Sequence, residues 1–183
     1  QDYTFSNFRE GFLAFYNLYY IGNAGLAYGS SLYGLIKVIA HSLRLKINLD
    51  LAAQIAYSLS IILLLSAMIS FWMKLIDKRV ALFVICATYT LGSNHFGDYH
   101  LVAFLICFLV YAIGEPKRIH DLTKPDKIVL LATILILAPK NYIFGNDISA
   151  QVLLNPAILL RALIAILRNA WLDSRLSSSQ PIA

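Results

Sequence analysis

The stretch from Leu51 to Met73, LAAQIAYSLSIILLLSAMISFWM, runs for 23 residues without a formal charge. As a helix rising about 1.5 Å per residue it is roughly 34 Å long, enough to cross the ~30 Å hydrocarbon core of a bilayer. A soluble domain of this size has little interior in which to hide such a segment, because small domains leave a large share of their surface in water. The whole chain shares the bias: of its 183 residues 59% are hydrophobic and 14% charged, against about 45–50% and about 25% in soluble domains. A mean hydropathy of +0.68 names a bilayer as the solvent. The scarcity of charge also argues against a disordered chain and against a nucleic-acid binder, whose basic face would be far denser.

Further apolar runs follow. One starts at Val80 and another at Tyr99, separated by the polar break SNHFGDYH, so two short spans fit better than one helix from 80 to 113. A fourth, Ile128 to Ala138, is ended or kinked by Pro139. The fifth, Pro156 to Leu172, is expected to open with Asn155 as N-cap and Pro156 at the first helical position. Gly25 to Ile47 fits a membrane helix, an interfacial helix or both in succession. The expected fold is therefore an all-α polytopic bundle of about 5–6 membrane helices, some short or broken. The first stretch lacks a basic region followed by an apolar run and is not a signal peptide. With Gln1 at its start and a polar tail at 173–183, the chain reads as one membrane-embedded region, a C-terminal piece of a longer multi-pass protein.

Loop charge orients the spans. Lys74, Lys78 and Arg79 in one connection, and Lys117, Arg118, Lys124 and Lys127 in another, mark the inner side. Arg44 and Lys46 are discordant, falling outside. Cys86 and Cys107 lie within apolar runs and read as small buried hydrophobes rather than a disulfide or metal pair.

Three polar patches then share the outer side: 28–33 (YGSSLY), 93–100 (SNHFGDYH) and 139–147 (PKNYIFGND). Ionisable groups at membrane depth are expensive unless they line water, a ligand or one another, so Asn94, His95, Asp98, Tyr99 and His100 either face a ligand or form a wet loop capping two helices. Three potential ligands within six residues, His95, Asp98 and His100, with no recognised spacing, do not specify a metal site. Ser30 and Ser31 have no nucleophile elbow around them and read better as a turn or packing contact. Lys140 either snorkels to the interface or holds a phosphate as a point charge. Arg161, Arg168 and Arg175 recur every seven residues on one helix face, where Arg161, nearest the outer end, can meet an anionic ligand. No phosphate-cradling loop or dinucleotide fingerprint is present, and no cofactor is expected.

The run YGSSLYGLIKVI, then GDYHL opening a span, then LAPKNY closing another, resembles the C-terminal half of the GT-C type membrane glycosyltransferases of family 87. That resemblance implies sugar transfer, mannosyltransferase-like, from a polyprenyl-phosphate donor to a glycan or glycolipid acceptor at the outer face of a bacterial inner membrane. Membrane lipids are then partners and nucleic acid is not. It falls on Ser31, Leu32, Asp98, Tyr99, Leu101, Pro139, Lys140 and Tyr142. It implies substrate binding by Lys140, Tyr99, Tyr142 and Ser31, to which the polar break adds Asn94 and the arginine stripe adds Arg161. A basic group suits the departing lipid phosphate, and Asp98, His95 or His100 would orient hydroxyls or assist proton removal. The acidic base of such enzymes usually lies in a first outer loop, upstream of this region, so Asp98 is not promoted to that role. The competing reading is a non-catalytic membrane protein or transporter subunit in which the break at 93–100 is re-entrant and lines a solute path.

Overall fold

The computed structural model describes residues 5–21, 29–93, 101–113, 122–140, 143–144 and 148–178. They form α1 (Phe5–Phe15) running into a π-helix (Tyr16–Ile21), then α2 (Leu32–Ser42), α3 (Leu49–Trp72), α4 (Lys78–Gly92), α5 (Val102–Ile113), α6 (Lys124–Leu137) and α7 (Ala150–Ser178). A minimal antiparallel pair, β1 (Ile143–Phe144) with β2 (Ile148–Ser149), leads into α7. The fold is thus all-helical apart from that pair. Two helices, Leu49–Trp72 and the Ala150–Leu172 part of α7, are long and apolar enough to cross a membrane.

Local chemistry sets most of the boundaries. Asn48 caps α3 by accepting from the amides of Asp50 and Leu51, and Asp77 caps α4 through those of Arg79 and Val80. A reciprocal capping box between Thr123 and Asp126 opens α6. The same helix stops at Leu137 because Ala138 precedes a proline and sits in the extended region (ψ 134°). It does not continue past Pro139.

Other boundaries differ from the sequence reading. Asn155 is not an N-cap: α7 starts at Ala150, and Pro156 lies inside it. The polar pair Ser149–Gln151 and the short β2 supply an earlier start, with the Ser149 hydroxyl accepting from the Gln151 amide. Helix also continues through Ser178, into the segment read as a polar tail. Within Gly25–Ile47 the described helix is the 11-residue α2, too short to span a bilayer, where about 20 residues are needed. At 15, 12 and 14 residues, α4, α5 and α6 are also short.

Neighbouring helices from α3 to α6 alternate in direction. Gly92 at the end of α4 meets Ser60 midway along α3. Arg79 at the start of α4 lies 5.6 Å from the ring centre of Tyr111 near the end of α5, and the Tyr111 hydroxyl donates to Asp126 at the start of α6 at 2.9 Å. One end of the bundle therefore gathers Lys74, Lys78, Arg79, Lys124 and Lys127, the described members of the two basic connections. α7 packs against α2, α3, α4 and α6, which makes it the central post. Phe83, Phe104, Leu159, Leu163 and Ile166 fill the core, the two phenylalanines edge to face at 5.7 Å.

The packing of α3 is inverted relative to a soluble helix. Its buried positions are Ala52, Ala53, Ala56, Ser60, Ala67 and Ser70, while Leu51, Ile55, Ile62, Leu65, Met68 and Ile69 are exposed. Small residues let α4 approach closely, the pattern of helix association in lipid, where large apolar side chains gain nothing by turning inward. The hydroxyls are spent locally: Ser60, Ser66, Ser70, Thr88 and Thr90 each donate back to a carbonyl of the preceding turn.

Candidate functional site

At the bundle end opposite the basic cluster, α5 begins, α6 ends and α7 begins. A cavity of about 240 Å³ lies between them. Val102 and Leu105 of α5 and Ile136 and Leu137 of α6 form its apolar side; Lys140, Gln151 and Asn155 form its polar side. Val102 and Leu105 are also exposed on the outer surface of the bundle, so the cavity lies beside the face that α5 turns outward.

Asn155 is the pivot. It is fully buried, and its side-chain amide donates through Nδ2 to the hydroxyl of Ser30 at 2.9 Å, a contact across 125 residues of sequence. Ser30 is presented by Gly29, whose φ of 114° lies in the region only glycine occupies readily. The adjacent Ser31 caps α2, accepting from the Gly34 amide at 3.1 Å. Gly34 faces α7 closely, since a β-carbon there would lie 3.6 Å from Val152 Cγ1. The YGSSLYG motif thus joins α2 to α7. Ser31 serves as a cap and Ser30 as the partner of Asn155, in keeping with the turn-and-packing reading of both serines.

Asn155 Oδ1 has no hydrogen-bond partner. An unsatisfied buried amide oxygen costs roughly 1–3 kcal/mol, and here it belongs to a residue in the cavity wall. Pro156 comes next in α7 and lacks an N–H, so the turn at the cavity also loses the helical donor to the Val152 carbonyl.

Lys140 does not snorkel. It is buried, and its ammonium turns back onto α6, donating to the carbonyls of Ile136 at 3.0 Å and Ala138 at 2.8 Å. Those carbonyls belong to the negative end of the α6 dipole, which favours a cation. The result is a positive group fixed in the cavity wall rather than carried off to water.

The remaining sequence candidates divide. Asn94, His95, Asp98, Tyr99, His100 and Tyr142 lie outside the described residues. Leu101, which follows the 93–100 segment, and Lys140 of the 139–147 segment both line the cavity, whereas Ser93 lines the cleft between α3 and α4. Arg161 is exposed on α7 and is not part of the cavity wall. Gln151 and the interior role of Asn155 were missed from sequence. Lys37, buried within α2, was passed over as well. Among the described residues no group of three metal-ligating side chains is present.

Besides a cleft of about 260 Å³ past Leu64, Met68 and Lys78, two much larger clefts lie elsewhere. One of about 470 Å³ runs between α3 and α4, past Tyr57, Tyr89 and Gly92. The other, about 720 Å³, sits at the basic end beside Trp72, Lys74 and Thr123. None of the three joins a buried cation to an unsatisfied buried acceptor, so the cavity at Lys140 and Asn155 is the better candidate for chemistry.

Cys86 and Cys107 are free thiols on facing helices, their sulfurs 3.7 Å apart with Cys107 donating to Cys86. At the basic end, Asp126 accepts from the hydroxyls of Tyr111 and Thr123 and from the Thr123 amide. Burial pushes its carboxyl pKa up, but hydrogen bonds from Thr123 and Tyr111 outweigh burial and hold it below the ordinary value.

No family model, curated protein or solved structure matches the chain.

Proposed function

We propose that the chain is the membrane-embedded part of a glycosyltransferase that takes a sugar from a polyprenyl-phosphate donor and passes it to a glycan or glycolipid acceptor at the outer face of a bacterial inner membrane. The observation that carries this reading is the cavity: a buried lysine and two buried amides on one wall, apolar side chains on the other, next to an outward-facing surface of α5. A lipid-linked substrate needs both kinds of wall, with a fixed cation near the phosphate on which negative charge grows as the glycosidic bond breaks. Lys140 supplies that cation. The small-inside, large-outside packing of α3 supports a bilayer around the bundle. In this reading α3 and α7 span it, and α4, α5 and the part of α6 from Ile128 onward are shorter crossings.

The transporter reading has one observation in its favour, the proline inside α7 beside a buried polar pair, since broken helices near polar groups also build solute paths.

Transfer of radiolabelled sugar from a polyprenyl-phosphate donor, in membranes carrying the intact protein, decides between the two. Lys140→Ala is expected to lower turnover about 100-fold or more while the chain still inserts. Undiminished donor binding and turnover in this variant would remove the phosphate role. Solute uptake into vesicles without transfer would favour the transporter. Single cysteines at positions 74 and 124 of a cysteine-free chain should label from one side of the membrane and one at position 93 from the other.

A further inference from the structure

The geometry points to Asn155 Oδ1 as a hydroxyl-reading subsite: it accepts a hydrogen bond from an uncharged, hydroxyl-bearing head, one ring in size, whose apolar chain lies along α5 and α6. This deepens the function proposed above and rests on that reading.

The argument starts from the orphaned oxygen. Asn155 is fully buried, its nitrogen is committed to Ser30 at 2.9 Å, and its oxygen is unpaired. With the nitrogen on Ser30, the oxygen is the end of the amide left for a further partner. The oxygen accepts and does not donate, so it calls for an O–H or N–H and repels an anion. A phosphate therefore belongs at Lys140, and a neutral donor at Asn155. The two preferences sit in one cavity wall, which makes the site bipolar.

Size narrows the head. A volume of about 240 Å³ falls below the roughly 300–1,000 Å³ of pockets for drug-sized ligands, which suits a head of about one ring. The walls narrow the rest. Val102 and Leu105 line the cavity and are also exposed on the outer face of α5, which gives an attached apolar chain a continuous path out of the site without crossing water. A free polyol gains nothing from that path; an amphiphile does. Hydrogen-bonding sites of this kind discriminate strongly, because a ligand lacking the hydroxyl leaves the buried acceptor unpaired.

The test is photolabelling of the chain in phosphatidylcholine nanodiscs with a diazirine-tailed octyl glucoside, mapped by mass spectrometry. Labelling is expected on α5 and α6 around Val102, Leu105 and Ile136. Unlabelled octyl glucoside should compete, and octane-saturated buffer should not. Asn155→Leu should weaken competition about tenfold, whereas Asn155→Asp, which keeps an acceptor there, should bind measurably better than the leucine variant. Leu105→Trp fills the cavity from its exposed side without touching Ser30 or Asn155, so it should abolish specific labelling in a normally folded chain. Labelling that ignores both Asn155→Leu and Leu105→Trp would overturn the assignment, as would equal competition by the hydroxyl-free alkane. The probe carries no phosphate and no sugar is transferred. Glucoside binding with no transferase activity would thus fail the function proposed above, while transfer without glucoside binding would fail this subsite alone.

Discussion

Asn155 and Ser30, 125 positions apart in sequence, form a buried hydrogen bond of 2.9 Å that ties the turn before α2 to the first turns of α7. Ser30→Ala leaves both ends of a buried amide unsatisfied. The expected loss is about 1–2 kcal/mol, above the ~0.6 average for polar contacts between membrane helices because a group is stranded rather than removed. Unfolding by dodecyl sulfate in mixed micelles measures it. A loss within error of zero would mean that the pair does not join the two helices.

Gly92 sets how closely α4 approaches α3. A β-carbon at this position would lie 2.8 Å from Ser60 Cβ, an atom fixed to its helix that cannot rotate away. Gly92→Ala should cost about 1–3 kcal/mol by forcing the helices apart. Ser60→Ala should not rescue it, since the offending atom remains, but Ser60→Gly should. Stabilities of the two double variants, taken by the same titration, separate steric conflict from a general loss of helix packing.

Asp126 makes stability at the basic end depend on pH. Its pKa is lowered in the folded chain from its ordinary value, so the unfolded chain binds its proton first as acid is added. The stabilisation is complete above that unfolded value and is lost as pH falls through the lower folded one. Asp126→Asn should flatten this acid limb and cost about 1–2 kcal/mol near neutrality through the weakened cap. Unfolding midpoints between pH 2 and 7 for the two proteins provide the comparison, and parallel curves would assign the acid limb to other carboxylates.

The thiols of Cys86 and Cys107 report the pairing of α4 with α5. At 3.7 Å they need only a small approach to reach the ~2.05 Å of a disulfide. Copper-phenanthroline should remove both from maleimide labelling in the denatured chain, with dithiothreitol restoring them. Cys86→Ser should leave Cys107 labelled throughout. Persistent labelling of both after oxidation would place these helices further apart than described.

Residues that act through local chemistry were readable in advance. Pro139 ends α6 because a residue before proline avoids the helical region, and the charge-free run from Leu51 becomes α3 almost end to end. Lys140 and the turn bearing Ser30 and Ser31 stand out in the sequence as well. Asn155 reads as a cap because Asn-Pro is a strong local signal for a helix start, and the contact that overrides it lies 125 residues away. Gln151 carries no signal, being one amide between the 139–147 patch and the apolar run from Pro156. Lys140 turning back onto the carbonyls of α6 could not be read from a pattern, because the same residue at a helix end snorkels equally well when water is near. The aromatic positions Phe8, Phe12 and Phe15 of α1, spaced for one helical face and exposed, carry a periodic signal upstream of the charge-free run at Leu51.

The inversion of α3 decides which positions in this molecule are replaceable. Along that helix any large apolar residue serves equally well outside, so Leu, Ile, Met and Phe are interchangeable there at little cost. Inside, an alanine or serine has no larger substitute, since each sets a distance between two backbones. A lineage carrying this fold is therefore expected to drift fastest at its bulkiest side chains and to keep its ancestry in its smallest ones. Relatives should be sought by the spacing of Ala52, Ala56, Ser60 and Ala67 against Gly92 rather than by the hydrophobic residues that dominate the sequence.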